Sequence, residues 1–546
     1  RSTGRSLMAI YLFSYATGVL LLIFSGFYGY WSDLSIYSAI PAGAAALFVG
    51  IGVVGTRKRD DFSDIAGWRI EEAAEISEPE KPVVAPAVLD IKSLDLGMLV
   101  VGGPGAGKSM MAIAYQEFLS QYRPDSGMAY FEGKGDFDIY RDRVAAVGHP
   151  DYFFSSELEH SDTINVMASP TETIIDTFSR VFVDSTNGYY EASQKKAIRA
   201  TVPLIKSLGE PVILPDLWML LTDSQAARDV IRKAKEIGVD PDVIATCEQY
   251  FQEDEEDRLN KIDGLLNKLH PFVSGPISRK INAYEPTLNI SDAVAAGKTI
   301  YFHLPLSDTS LAVATMITEQ FGVVARNRQL YELEGRKAYP LMFDDWGAFF
   351  YSNFGPITAR CRSAKMPINF FFQSKAQTDA VLTGGIFTSE ILDNIGGVWS
   401  MRINGWDTAK WLAQQFGTYE TQEVSFRAGS DDQQMMTVEK ERVRTDWLRD
   451  LNAGEAYGMI FATAEGGLMV NKRYQLRFPL PGKHYDAPTY WPEVAVGVSN
   501  DDAGGLHLWR DYRDADQVAL RKREAVKSVL DDAGSDLADG DDEVLL

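Results

Sequence analysis

The sequence predicts an α/β protein in which helices cover both faces of a largely parallel β-sheet. Short apolar runs of strand type alternate with helical patterns through much of the 546-residue chain, and this alternation is typical of parallel sheets. A block of helical patterns without strand signals interrupts the series between about residues 171 and 289. We therefore expect a sheet-containing core with an inserted all-helical domain.

The composition limits the classes of protein to which the chain can belong. A hydrophobic fraction of 45% with 24% charged residues is ordinary for globular domains. The two cysteines are far apart and the six histidines form no zinc-binding pattern, so neither a disulfide framework nor a structural zinc site is indicated. The net charge of −23 argues against a surface coated with basic DNA-binding patches, although it leaves room for a small basic pore.

Two uncharged segments near the N-terminus predict a membrane anchor. Residues 8–31 and 36–56 contain no charged side chain, and the first is long enough to cross the roughly 30 Å of a bilayer's hydrocarbon core. Arg1 and Arg5 precede the first segment and three basic residues follow the second, so the positive-inside rule places both ends in the cytoplasm. We expect a two-helix transmembrane hairpin in contact with membrane lipid, with the bulk of the chain in the cytoplasm.

The stretch GGPGAGKS, residues 102–109, predicts a phosphate-binding loop. An apolar run precedes it and a helical pattern follows it, which is the strand–turn–helix context that the pattern GxxxxGK[ST] requires. Glycines let backbone N–H groups converge on phosphate oxygens, and the lysine supplies a cation for the outer phosphates. The expected nucleotide-binding residues are Gly102, Gly105, Ala106, Gly107, Lys108, Ser109 and Met110.

Polar side chains at the ends of two further apolar runs complete the predicted site. Asp344 would hold Mg²⁺ together with the Ser109 hydroxyl, and Asp345 would orient or deprotonate the attacking water. Gln373 would sense the terminal phosphate, and a helix-capping Gln-Ser pair is the alternative. The guanine-reading pattern NKxD at residues 260–263 lies in a charged helical stretch rather than after a buried strand, so the expected cofactors are ATP and Mg²⁺.

The predicted fold class is therefore α/β, with a RecA-like P-loop NTPase core, an inserted all-α domain and an N-terminal two-helix transmembrane hairpin. The C-terminal tail is Pro-rich and then acidic, and it is either a solubilising segment or a docking segment for a partner. The expected domains are the hairpin at 1–59, a linker at 60–88, the nucleotide-binding domain at 89–170 and 290–480, the all-helical domain at 171–289 and the tail at 481–546.

The order of these features resembles that of the type IV coupling proteins, the TraD/TraG-like P-loop ATPases of conjugation and secretion. The loop FEGKGD at residues 131–136 is similar to the family's DPKGE-like loop, and FFQSKAQ at 371–377 is similar to its QSxxQ motif. The resemblance implies a homo-hexameric inner-membrane ATPase that works with the other inner-membrane components of a type IV secretion system. It would pass a DNA–relaxase complex or secreted proteins into the channel. A neighbouring subunit would donate an arginine to the nucleotide, for which Arg360 and Arg362 are the candidates.

Asp345 departs from the family pattern, which commonly has Glu at this position. A carboxylate shorter by one methylene lies farther from the water that it must orient, so hydrolysis is expected to be slow or to depend on the assembled ring. Two alternatives to the coupling motor therefore stay open. One is a substrate-receptor platform that binds ATP but scarcely hydrolyses it. The other is an FtsK-like DNA translocase, which shares the fold but is expected to carry a longer array of spans and a C-terminal DNA-reading winged helix.

Overall fold

The computed structural model describes residues 67–76 and 83–512, with short gaps inside the second range. The gaps are residues 186, 333–334, 346, 348, 350, 352, 380–385, 427–432, 464–468, 484–489, 493 and 495–499. From Trp68 onward the described residues belong to one compact unit.

Fifteen β-strands are present in the described residues. In chain order they are β1 Gly67–Ile70, β2 Glu72–Glu75, β3 Val83–Val84, β4 Ala87–Asp90, β5 Met98–Val101, β6 Ala129–Glu132, β7 Tyr152–Ser155, β8 Ile300–His303, β9 Leu341–Asp344, β10 Ile368–Phe372, β11 Gly397–Ser400, β12 Thr418–Phe426, β13 Gln433–Glu441, β14 Glu455–Thr463 and β15 Met469–Arg477.

Seventeen helices accompany them in the same part of the chain. They are α1 Ile91–Leu94, α2 Lys108–Tyr122, α3 Phe137–Val147, α4 Thr171–Val181, α5 Gly188–Lys206, α6 Leu214–Thr222, α7 Ser224–Glu236, α8 Pro241–Phe251, α9 Glu255–Ser274, α10 Ser278–Ile281, α11 Ile290–Ala295, α12 Asp308–Tyr331, α13 Phe354–Ser363, α14 Lys375–Asp379, α15 Ile386–Leu392, α16 Trp406–Phe416 and α17 Thr445–Arg449.

An eleven-stranded sheet forms the centre of the molecule, in the order β3-β2-β15-β14-β11-β5-β10-β9-β6-β8-β7. The strands from β11 to β7 in this order are all parallel, whereas β14, β15, β2 and β3 pair antiparallel at one side. The prediction of an α/β protein is confirmed. The sheet is mixed rather than largely parallel, because the later strands return as hairpins.

Both faces of the parallel strands are buried. Leu99 and Val101 of β5 belong to one hydrophobic core, which includes side chains of α12 and α13, while Met98 and Val100 belong to a second core, which includes side chains of α2. Strands buried on two faces are expected to be continuously apolar, which explains the apolar runs in the sequence. Their carboxyl ends all meet at one edge of the sheet, where the loops after β5, β6, β9 and β10 come together.

Two regions contain strands that were not expected from the sequence. β2 lies in the predicted linker and adds an antiparallel strand beside β15, with Trp68, Ile70 and Ala73 of this region buried. β12 and β13 form a separate two-stranded hairpin. In both places polar residues alternate with a few apolar ones, and a strand with one solvent-facing side has such a composition.

Helices α4 to α11 lie between β7 and β8 and correspond to the predicted all-helical insertion. Buried Asp216 of α6 accepts hydrogen bonds from the Tyr284 hydroxyl at 2.8 Å and the Ile213 N–H at 3.1 Å. The Trp509 N–H also donates to this carboxylate at 3.2 Å, and the Asn500 amide donates to the Asn282 carbonyl at 2.7 Å. The described part of the tail between residues 500 and 512 therefore packs on the helical domain of its own chain.

The prediction of a two-span inner-membrane protein needs correction. No helix in the described part of the chain is long and apolar enough to cross a bilayer. Even α12, with 24 residues, carries the charged side chains Glu319, Arg326 and Arg328. The two segments on which the prediction rests, residues 8–31 and 36–56, lie outside the described residues.

The contact between β14 and β11 gives a test of the fold. Gly458 lies opposite Trp399, and a Cβ added at Gly458 would stand 1.8 Å from the indole ring. Because Trp399 is fully buried and has no room to retreat, we expect Gly458→Ala to lower the free energy of unfolding by about 1–3 kcal/mol, measured by urea denaturation. Gly188→Ala is the control, since an added Cβ there meets no atom within 4 Å. Equal stability of the two variants would contradict this packing.

Candidate functional site

The P-loop joins β5 to α2 at the carboxyl edge of the sheet. Gly105 and Gly107 have φ angles of 70° and 100°, a region that costs residues with a Cβ about 1–2 kcal/mol, so the loop needs glycine at both positions. Gly107 caps α2 without a side-chain hydrogen bond, which leaves the N–H groups of the first helical turn for a ligand. The other predicted loop members, Gly102, Ala106 and Met110, lie in the same loop and turn, the first two buried and Met110 half-buried.

Lys108 folds back over this loop. Its Nζ donates to the carbonyl oxygens of Gly102 at 2.7 Å and Gly103 at 3.3 Å. Burial lowers the pKa of the Lys108 ammonium, while the nearby carboxylates of Asp345 and Asp344 act in the opposite direction. The lysine and the two predicted carboxylates are therefore close enough to interact. The Gly102 N–H donates to the Phe372 carbonyl at 3.1 Å, so the loop over which Lys108 folds adjoins the end of β10, directly before Gln373.

Asp344 is buried at the end of β9 and is held by several donors. The Tyr130 hydroxyl donates to its Oδ2 at 2.9 Å, the Asp345 N–H donates to its Oδ1 at 3.1 Å, and the Ser109 hydroxyl is close enough to favour the ionised carboxylate. Burial raises the pKa of Asp344, as does the charge of Asp345, while Lys134 and the two hydroxyls oppose the rise. A serine hydroxyl beside a carboxylate is a hard oxygen donor set, which fits Mg²⁺ when phosphate and water complete its shell.

Asp345 follows Asp344 in a left-handed backbone conformation with φ of 52°. Aspartate tolerates this region better than most residues with a Cβ. One carboxylate oxygen pairs with the Lys134 Nζ at 2.7 Å, and the other accepts a hydrogen bond from the Gln373 Nε2 at 3.3 Å. The structure thus brings Asp345 and Gln373 together at the predicted site, and both oxygens of the predicted water-orienting carboxylate have partners.

The loop that carries Lys134 is fixed by Glu132. β6 and β9 are in register at Glu132 and Asp344, and the Glu132 carboxylate accepts from the N–H groups of Lys134 at 2.6 Å and Gly135 at 2.8 Å. Burial raises the pKa of Glu132 to about 7, against the effect of these N–H donors. The turn is also held from β8, since the Leu306 N–H donates to the Gly133 carbonyl at 3.1 Å.

The QSxxQ-like motif fixes the turn after β10. The Gln377 side-chain oxygen accepts from the N–H groups of Gln373 at 3.0 Å and Ser374 at 3.3 Å. This arrangement leaves the Gln373 side chain free to point toward Asp345. The motif therefore has a local structural role in addition to the predicted sensing role of Gln373.

Three site residues are missing from the set predicted from the sequence. Tyr130 and Lys134 contact the carboxylates as described above, and Arg402 borders the P-loop after β11. The Arg402 carbonyl accepts from the Gly103 N–H at 2.7 Å, and its guanidinium donates to the Pro104 carbonyl at 3.5 Å. The similarity of the loop FEGKGD to the family's DPKGE-like loop could have identified Lys134 as a site residue. No sequence pattern distinguishes Arg402 or Tyr130.

The predicted arginine candidates lie away from the P-loop of their own chain. Both are exposed in the second half of α13, which returns from the carboxyl edge of the sheet to the edge where β10 begins. The Arg360 guanidinium lies beside Gly322 of α12, where a Cβ would be 3.7 Å away, and Arg362 donates to the Asp393 carbonyl at 3.4 Å. The structure therefore does not bring them together with the other site residues, and their role toward a neighbouring chain stays a prediction.

Comparison with known proteins identifies relatives through structure only, since no protein-family model and no curated sequence matches the chain. The structure is similar to that of the bacterial conjugative coupling protein TrwBΔN70 in its unbound form, with a TM-score of 0.54 and 12% identity over 78% of this chain and 97% of that one. The complex of TrwB with the GTP analogue GDPNP has a TM-score of 0.52 at 12% identity, over 79% and 99% of the two chains.

A third structure, TrwB with the ATP analogue ADPNP, has a TM-score of 0.50 at 13% identity, covering 80% of this chain and 99% of that one. At such identity the likeness concerns the fold. The chain therefore has the RecA-like fold of a conjugative coupling protein, and the resemblance to the type IV coupling proteins that the motifs predict is confirmed at the level of fold.

Proposed function

We propose that the protein is a P-loop ATPase that uses ATP hydrolysis to move a macromolecular substrate into a type IV secretion or conjugation channel. The observation that carries the proposal is the meeting of Lys108, Asp344, Asp345 and Gln373 at the carboxyl edge of one sheet. The likeness in fold to a coupling protein solved with ATP and GTP analogues supports it.

Each residue of the site has a role in this proposal. The P-loop N–H groups and Lys108 bind the β- and γ-phosphates, while Ser109 and Asp344 hold Mg²⁺. When bound, the ion neutralises charge on the phosphate oxygens. Asp345 orients the attacking water, and Gln373 orients Asp345 and senses the terminal phosphate.

A receptor platform that binds ATP with little hydrolysis is the second candidate. It is favoured by the two contacts that occupy both oxygens of Asp345, because a carboxylate so held is a weaker acceptor for water. The two candidates differ in one measurable quantity, the rate of ATP turnover by the assembled protein.

The coupling proposal includes partners. It requires a homo-hexamer, so that the cargo passes through the ring and a neighbouring chain completes the nucleotide site, with Arg360 or Arg362 as the arginine supplied. Other components of the secretion system would receive the cargo, which is a DNA–relaxase complex, a set of secreted proteins or both.

The variant Lys108→Ala tests nucleotide use. We expect its affinity for ATP with Mg²⁺ to fall by about 10- to 100-fold, because a charge-assisted hydrogen bond to phosphate is lost, and its ATP turnover to become undetectable. Calorimetric titration and phosphate release measure the two effects.

The control is Lys206→Ala, since Lys206 is also a partly buried lysine that donates to a backbone carbonyl, that of Met167 at 2.9 Å, but belongs to the helical domain. Equal affinity and turnover in wild type and Lys108→Ala would refute a nucleotide site at the P-loop.

The variant Asp345→Asn separates turnover from binding. Loss of the water-orienting charge should lower kcat by about 10²- to 10⁴-fold, while the affinity for ATP stays within about threefold of wild type, because the P-loop and Asp344 are intact. Steady-state phosphate release with a fluorescent nucleotide titration measures both. Asp151→Asn is the control, as Asp151 forms a similar ion pair with Lys298 at 2.9 Å. Unchanged kcat in Asp345→Asn would remove Asp345 from the reaction, and a wild type without turnover would favour the platform.

Filter binding of single- and double-stranded DNA at two salt concentrations tests the cargo. With a net charge of −23, the chain can contact phosphates only through a confined basic surface. We expect DNA to bind at about 50 mM salt and to be lost near 200 mM, because displacement of counterions makes phosphate contacts strongly salt-dependent. Failure to retain DNA at the lower salt concentration, with ATP turnover intact, would indicate protein cargo.

A further inference from the structure

Lys134 is a second cation beside the P-loop lysine. Its ammonium pairs with Asp345 at 2.7 Å and interacts with the charge of Asp344. The same ammonium is close enough to Lys108 to help lower the pKa of that lysine. The geometry connects the two loops: Asp345 contacts both Lys134 and Gln373, and Gln373 follows Phe372, whose carbonyl accepts from the N–H of Gly102 in the P-loop at 3.1 Å.

Hydrogen bonds hold the backbone around Lys134, whereas its side chain is partly exposed to solvent. The Glu132 carboxylate binds the N–H groups of Lys134 and Gly135, and Gly135 has a φ of 75° against Pro305, which a Cβ would approach to 2.8 Å. The Lys134 side chain is 41% exposed and forms an ion pair with Asp345. A long side chain on a fixed turn can change partner without moving the loop.

The negative charge of the two possible partners, the Asp345 carboxylate and a γ-phosphate, determines which of them the Lys134 ammonium pairs with. The γ-phosphate carries more negative charge than a carboxylate and offers three oxygens, and lysine binds phosphate as a point charge. A terminal phosphate held by Lys108 would approach the Asp345 carboxylate, which Lys134 and Gln373 both contact, and so come within reach of the Lys134 side chain. A diphosphate would leave that space without a charged oxygen.

We propose that Lys134 reads the terminal phosphate: it pairs with Asp345 when no triphosphate is bound and transfers to a γ-phosphate oxygen when ATP binds. The transfer frees one oxygen of Asp345 for the attacking water, so the carboxylate becomes available only with a triphosphate in place. This inference rests on the proposed nucleotide site and names the residue that makes the site prefer triphosphate over diphosphate.

The test compares the affinities of Lys134→Ala for the ATP analogue ADPNP and for ADP, both with Mg²⁺, by competition against a fluorescent nucleotide. We expect the affinity for the analogue to fall by about tenfold or more, as for loss of a charge-assisted hydrogen bond, and the affinity for ADP to change by less than about twofold. Lys298→Ala is the control, because Lys298 has a similar exposure of 47% and pairs with an aspartate at 2.9 Å remote from the P-loop. Lys134→Arg should keep the preference for the triphosphate, since it keeps the charge.

The same comparison in an Asp345→Asn background separates direct contact from an effect through Asp345. A loss of triphosphate affinity that persists there supports direct contact, whereas a loss that disappears overturns the proposal. Equal effects on both nucleotides, or no effect on either, also overturn it. If Lys108→Ala abolishes binding while Lys134→Ala changes nothing, only this inference fails. If wild type binds neither nucleotide, the proposed function fails and this inference with it.

Discussion

The burial of Asp344 at the end of β9 is the constraint on which the rest of the site depends. An ionised carboxylate taken out of water costs several kcal/mol unless it is paired and hydrogen-bonded. Here the compensation comes from three directions: a tyrosine on β6, the hydroxyl at the start of α2 and the N–H of Asp345. Tyr130 is in place because β6 pairs in register with β9, and Ser109 because the loop after β5 ends at the same edge of the sheet, one strand beyond β10.

The register follows from how the sheet is buried. Successive residues of each parallel strand enter two different hydrophobic cores, so a shift of one residue in a strand would exchange the side chains that it presents to these two close-packed cores. The register of the strands also determines which residues lie opposite each other where neighbouring strands end. Glu132 and Asp344 therefore stand side by side, and the loops that follow them meet above the P-loop.

The sequence predicts those parts of the site whose residues are recognisable within one short, continuous stretch of the chain. The P-loop needs eight consecutive residues between a strand and a helix, and Asp344 and Gln373 each follow an apolar run directly. The contacts of Lys134 with Asp345, and of Tyr130 with Asp344, depend on the spatial order of β9 and β6. No local pattern encodes that order. The hairpin of β12 and β13 was missed for another reason: its strands are mostly polar on both sides, so they lack the apolar run by which the central strands are recognised.

The packing of the last described residues on the helical domain has a consequence for how the chain tolerates shortening. The Asp216 carboxylate is shared between Tyr284, the first turn of α6 and the Trp509 N–H. A polypeptide cut before residue 500 would lack the Trp509 N–H that donates to the buried Asp216 carboxylate, and the loss of Ala503 would uncover Ile213 and Tyr284. Residues 500–512 therefore stabilise a helical domain that ends more than two hundred residues earlier in the sequence.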